Sequence, residues 1–137
     1  MKLLRKAIQM PFDEKILLLE AVFFLFFSKI FLFLPFKFCV SKAKNKDEQG
    51  EVLTFIELKK IRNSVYRANK LAFWKNICLV KSFAARFMLL RRNVHSKMYL
   101  GLEFKNNKEL LAHAWLVSND FQITPKGKKK YKEIFNF

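Results

Sequence analysis

Two residues in this chain have the chemistry of a nucleophile and its base, and each stands in a local setting that suits the role. Cys78 comes in Trp74-Lys75-Asn76-Ile77-Cys78-Leu79-Val80-Lys81-Ser82-Phe83. From there Leu79, Phe83, Phe87 and Leu90 recur at steps of four, four and three, which predicts a helix. The segment closes on Arg91-Arg92-Asn93: two cations for the last turn, then a residue that tolerates the left-handed conformation of a helix end. Cys78 is therefore expected at or just before the first turn. There unpaired N–H groups and the positive end of the helix dipole stabilise an anion, the setting of a nucleophilic thiolate.

His113 lies in Leu110-Leu111-Ala112-His113-Ala114-Trp115-Leu116-Val117, an apolar run alternating large with small that predicts a buried or half-buried strand. Between the two comes another alternating run. Met98, Leu100, Leu102 and Phe104 face one way, and Lys97, Tyr99, Gly101 and Glu103 face the other. The order is a helix carrying Cys, a strand, then a strand carrying His. An imidazole so presented takes the thiol proton and later returns one to a leaving group. A lone Cys on an apolar helix, or a lone His in an apolar strand, is more often a core residue. The pair in this order outweighs its parts.

These residues resemble the lasso-peptide leader peptidases, a bacterial branch of the transglutaminase-like cysteine peptidases. That family carries a Cys-Leu-x-Arg-Ala helix, an Arg-Arg-Gly helix end, a Gly-containing strand, and Ala-His-Ala-Trp. Here the matching stretches are Cys78-Leu79-Val80-Lys81-Ser82, Leu89-Leu90-Arg91-Arg92-Asn93, Tyr99-Leu100-Gly101-Leu102 and Ala112-His113-Ala114-Trp115. Lys81 for Arg and Asn93 for Gly are mild departures. A looser likeness runs upstream through Phe12 to Phe38 and the helix ending near Phe73-Trp74, and the length fits the stand-alone peptidase half. The resemblance implies an α+β domain, N-terminal helices packed on a small antiparallel sheet, with a transglutaminase-like or papain-like core. It implies removal of the leader from a lasso-peptide precursor, with Cys78 as nucleophile, His113 as base and acid, and no cofactor or metal. Its implied partners are the precursor's leader, a separate leader-recognition protein and a lasso cyclase.

The family places an orienting Asp about twelve residues after the motif His, on the next strand. Here that position is Pro125. Asp120 falls in the predicted turn Ser118-Asn119-Asp120. If this turn closes a tight hairpin, Trp115 faces Thr124, and Thr124 stands diagonally opposite His113. Thr124 is then the candidate orienter, with Asp120 the alternative for a looser turn. The backbone N–H of Cys78 and the indole N–H of Trp74 are oxyanion candidates. Trp115 is a candidate for shielding the site and lining a substrate pocket. Two other classes stay open: acyl transfer to an amine by the same chemistry, and a non-catalytic basic protein on an anionic surface.

Length and composition bound the rest. A chain of 137 residues makes one domain, read as an apolar helical segment with a polar loop (1–50) and the catalytic core (51–137). Hydrophobic residues make up 52%, at the high end for a soluble chain, and 17 Phe make the excess mostly aromatic. Two cysteines, Cys39 and Cys78, give no disulfide framework and suit a reducing cytoplasm. A net charge of +16 favours acidic peptides, nucleic acid or an anionic membrane. No nucleic-acid motif appears, and 3 Gly leave no room for a phosphate-cradling loop.

Asp13 reads as the N-cap of an apolar helix from Glu14 to Leu34 that Pro35 stops, with Phe12 stapled onto Leu17. Glu20 and Lys29 argue against a transmembrane span, each costing about 2.5–3.5 kcal/mol near its centre. They project from opposite faces and cannot share one buried stripe. Docking on the catalytic half is the favoured reading. Contact of Ile16–Leu34 with a membrane surface is the second, which would place a cytoplasmic protein at the inner face of the membrane. Ser41 to Gly50 reads as a surface loop. Thr54 and Glu57 form a capping box before an amphipathic helix whose outer face is basic (Lys59, Lys60, Arg62, Arg67, Lys70). At the C-terminus Tyr131, Ile134, Phe135 and Phe137 are spaced to dock as a helical turn, and His95 reads as a surface residue.

Overall fold

Four helices precede four strands in the computed structural model, which describes residues 11–43, 53–72, 78–105, 109–124 and 132–137, with Arg5 and Gln9. The helices are α1 (Phe12–Phe31), α2 (Phe36–Lys42), α3 (Phe55–Leu71) and α4 (Cys78–Arg91). The strands β1 (Lys97–Lys105), β2 (Glu109–Ser118), β3 (Phe121–Thr124) and β4 (Lys132–Asn136) form one antiparallel sheet in the order β3-β2-β1-β4. The α+β class expected from the sequence is the class observed.

Helix α1 starts two residues earlier than the sequence reading placed it. Pro11 is its N-cap and makes no side-chain cap bond, so Asp13 is not the cap. Asp13 and Glu14 sit in the first turn instead, where carboxylates meet the positive end of the dipole. The helix also stops short of Leu34, because Leu32 to Leu34 turn and Pro35 opens α2. A helix of seven residues is too short to show a period, which is why the sequence left this stretch unassigned.

Helix α3 begins as its capping box requires: Glu57 N–H donates to Thr54 Oγ1 at 3.3 Å, and Thr54 N–H donates to Glu57 Oε2 at 3.1 Å. Helix α4 ends as its last residues predict. Asn93 takes φ 54°, Val94 N–H donates to Leu89 O at 2.9 Å and Asn93 N–H to Leu90 O at 3.0 Å, a Schellman closure.

The core lies between α1, α3, α4 and one face of the sheet. Leu18, Ala21 and Leu25 of α1 join Leu58 and Val65 of α3, Phe83 and Leu89 of α4, and Met98, Leu116 and Ile123 of the sheet. Glu20, the charge that seemed out of place in an apolar helix, is clamped rather than buried alone. Arg92 reaches both its oxygens at 2.6 Å, while Arg91 donates to them at 2.9 and 3.2 Å. Burial alone would raise the Glu20 carboxyl, but the hydrogen bonds from Arg92 and Arg91 outweigh it and hold it below its ordinary value. The pair of cations that ends α4 thus fixes α1 as well.

Arg86 is fully buried under the sheet's outer half. Its Nε donates to Ala43 O at 3.0 Å and its NH1 to Phe137 O at 2.8 Å, and it lies 5.2 Å from the centre of the Phe137 ring. Burial pushes its pKa down to about 10. The C-terminal residues it holds are a strand, not the helical turn expected. Strand β4 completes the outer edge of β1, and Phe137 extends the ladder through reciprocal bonds with Met98 at 2.8 and 3.0 Å. An unpaired sheet edge offers more backbone partners than one helical turn can use.

Candidate active site

Cys78 is the first residue of α4 and is half-buried. The first N–H groups of a helix have no partner within it, which is the setting the sequence assigns to this thiol. The other cysteine is in a different setting. Cys39 is fully buried in α2, its thiol donates to Phe31 O at 3.4 Å, and burial pushes its pKa up. A raised, sealed thiol is chemically quiet.

His113 is half-buried on β2. Its ring stacks on Trp115 with centroids 5.9 Å apart, and Trp115 stacks on Tyr99 at 5.5 Å with an interplanar angle of 7°. Directly across from His113 is Gly101, which is buried and sits where the β1–β4 register shifts. Any side chain at 101 would stand about 5 Å from the imidazole's own Cβ. Glycine keeps that space clear. Trp115 is only 5% exposed yet stands outside the helix-side core, so it backs the His113 ring and offers no open wall to a substrate pocket.

Strand alternation puts His113 and Trp115 on one side of β2, and Ala114 and Leu116 on the other, toward the helices. Strand β3 ends at Thr124, and there Ser82 takes up the Ala114 carbonyl at 3.3 Å. Ser82 is fully buried and lies one helical turn after Cys78, about 6 Å along the axis. The second turn of the cysteine helix is thereby tied to the residue that follows His113. Sequence reasoning missed Ser82. Its signal was a polar residue inside an apolar helix, which must find a partner when buried.

The expected hairpin register is corrected by the structure. Ser118 pairs with Phe121 and Val117 with Gln122 as a tight turn requires, and Asn119 and Asp120 both take positive φ, 48° and 61°. A bulge then follows at Ile123, so Thr124 pairs with Leu116 and not with Trp115. Both Ile123 and Thr124 are buried on the helix side. A bulge turns two successive side chains the same way, and here both are drawn inward. The Thr124 hydroxyl accepts from Leu116 N–H and pairs with Ser82 Oγ, each at 2.8 Å. It braces the frame around His113 from the core and is not diagonal to the imidazole. Asp120 is exposed in the turn. Trp74 and Pro125 lie outside the described residues, and His95 is exposed as expected.

Among the described residues, no group of three or more His, Cys, Asp or Glu is placed to hold a metal ion. A family model described as the transglutaminase-like superfamily matches residues 27–136, from within α1 to the end of β4. No curated protein and no solved structure matches the chain.

Proposed function

The chain belongs to the transglutaminase-like superfamily, and from that premise we propose that it is a cysteine peptidase that removes the leader of a lasso-peptide precursor. The superfamily supports peptidase or acyl-transfer chemistry. The observation that carries the reading is the Ser82–Ala114 hydrogen bond, which ties the helix that starts with Cys78 to the strand segment of His113. The narrower role rests on the Cys-Leu helix and the Ala-His-Ala-Trp strand of the lasso-peptide leader peptidases.

In this mechanism His113 takes the Cys78 proton, and the thiolate attacks the scissile carbonyl. The Cys78 N–H donates to the oxyanion. The tetrahedral species collapses to a thioester as the amide C–N bond breaks and His113 protonates the departing amine. Water, deprotonated by His113, then releases the leader as a carboxylate. A separate leader-recognition protein presents the precursor, and the freed amine goes to a cyclase. An amine in place of water would resolve the same thioester as an acyl transfer, so the product mass separates the two.

The test is incubation of the protein with the precursor and recognition protein of its own gene neighbourhood, read by mass spectrometry. The expected products are leader and core whose summed mass exceeds the precursor by one water. Cys78→Ala and His113→Ala should each fold and lose at least about a thousandfold of activity. Complete cleavage by a folded Cys78→Ala protein would end the proposal.

A further inference from the structure

Helix α1 carries two apolar faces, and among the described residues one of them packs into the core. Leu18, Ala21, Leu25 and Phe31 enter the core. On the far side Ile16, Leu19, Phe23, Phe26, Ile30 and Phe33 follow one another at alternating steps of three and four, all of them exposed. Leu19 is 71%, Phe23 61% and Phe33 83% accessible. The band does not stop with the helix. Phe38 of α2 extends it past Pro35, where the backbone changes direction.

We propose that this band is a membrane-docking face, on which α1 and α2 lie flat against an anionic lipid surface with their large side chains in the acyl boundary. Three observations select that occupant. The stripe passes at Pro35 from one helix onto a second, so it is not a seam along a single helix of the kind a straight partner helix follows. Cations flank it: Lys15 borders α1, and exposed Lys37 and Lys42 border α2, with Lys42 Nζ 5.5 Å from the Phe38 ring. Long basic side chains lay their stems along apolar surface and keep their heads at phosphate level. The chain's net charge of +16 opposes self-association through this face and is attracted by anionic lipid.

The geometry is that of lying on the membrane, not crossing it. Among the described residues no helix is long and apolar enough to span. The 20 residues of α1 measure about 30 Å along the surface. The opposite face of the helix stays docked on α3 and α4, held by the Glu20 clamp. The band thus projects from a folded body and needs no unfolding to insert.

The experiment is co-sedimentation of the full chain with vesicles of phosphatidylcholine alone, or of equal parts phosphatidylcholine and phosphatidylglycerol. The protein should pellet with the mixed vesicles, bind neutral ones at least about tenfold more weakly, and be released by carbonate. A Phe23→Ser, Phe26→Ser, Ile30→Ser triple variant should lose at least about tenfold of that binding with an unchanged unfolding midpoint. Leu19→Glu is the second variant should the triple one fold poorly, with the same loss expected. Equal binding by the folded variants, or no binding to mixed vesicles, would overturn the proposal. So would a stable dimer of the wild-type chain that either variant dissolves, since the face would then belong to a second copy.

Discussion

The hydroxyls of Ser82 and Thr124, 42 residues apart in the chain, lie 2.8 Å from each other inside the protein. With Leu116 N–H donating to Thr124, Thr124 to Ser82, and Ser82 to Ala114 O, every proton in the chain is used once. One polar path therefore crosses from β2 through β3 to α4 and back to β2. It closes at the end of β3, where the described β3 pairing of β2 stops.

Ser82→Ala and Thr124→Val should each destabilise the protein by about 1–3 kcal/mol, the cost of leaving a buried partner unpaired. The double variant should cost less than the sum, because the shared bond is lost only once. Denaturant unfolding of the three variants measures the coupling, and strict additivity would show that the two hydroxyls do not act through each other.

Iodoacetamide at neutral pH should label Cys78 at least about a hundredfold faster than Cys39, given one half-exposed thiol at a helix start and one sealed beneath Phe31. Peptide mapping after a short pulse gives the ratio. Unfolding in denaturant should abolish the difference.

Glu20→Gln should lower stability at neutral pH by about 1–3 kcal/mol, since charge-assisted bonds to two guanidinium groups are lost from a largely buried site. The folded-state pKa of this carboxyl is depressed from its ordinary 4.5. Its contribution is therefore fully present above that value and disappears as pH falls through the folded-state value. Thermal unfolding of wild type and variant should converge in acid, and a constant gap across the range would contradict the clamp.

Gly101→Val should be worse than its conservative appearance. The site is buried, opposite His113 and beside a register shift, so a branched side chain crowds the imidazole and costs about 1–3 kcal/mol. Gly101→Ala should cost less in unfolding measurements.

Much of this architecture was legible because its signals are local. The capping box at Thr54 and Glu57, the left-handed Asn93, the start of α4 at Cys78 and the alternation of β1 each depend on a few neighbouring residues. The β3 register was not legible. Burying Ile123 and Thr124 together is decided by α4, whose Ser82 supplies the polar partner. The Glu20 clamp was hidden for the same reason, as its cations come 71 and 72 residues later. In the last segment, Ile134, Phe135 and Phe137 have spacings that a helical turn or a strand can both use. Only the vacant edge of β1 decided between them.

That last strand has one further consequence. Strand β4 has five residues, none of them buried, and among the described residues β1 is its one partner in the sheet. At its far end Phe137 is pinned by Arg86 and by Met98. Opening therefore starts at Lys132 and stops at the pin, exposing little apolar surface, and the amides of β4 should exchange with deuterated solvent by a sub-global route well before those of β2. While the strand is lifted, β1 shows a bare hydrogen-bonding edge from Tyr99 to Leu102, a template for the same strand of another molecule. The buried guanidinium of Arg86 is the latch that limits this exchange.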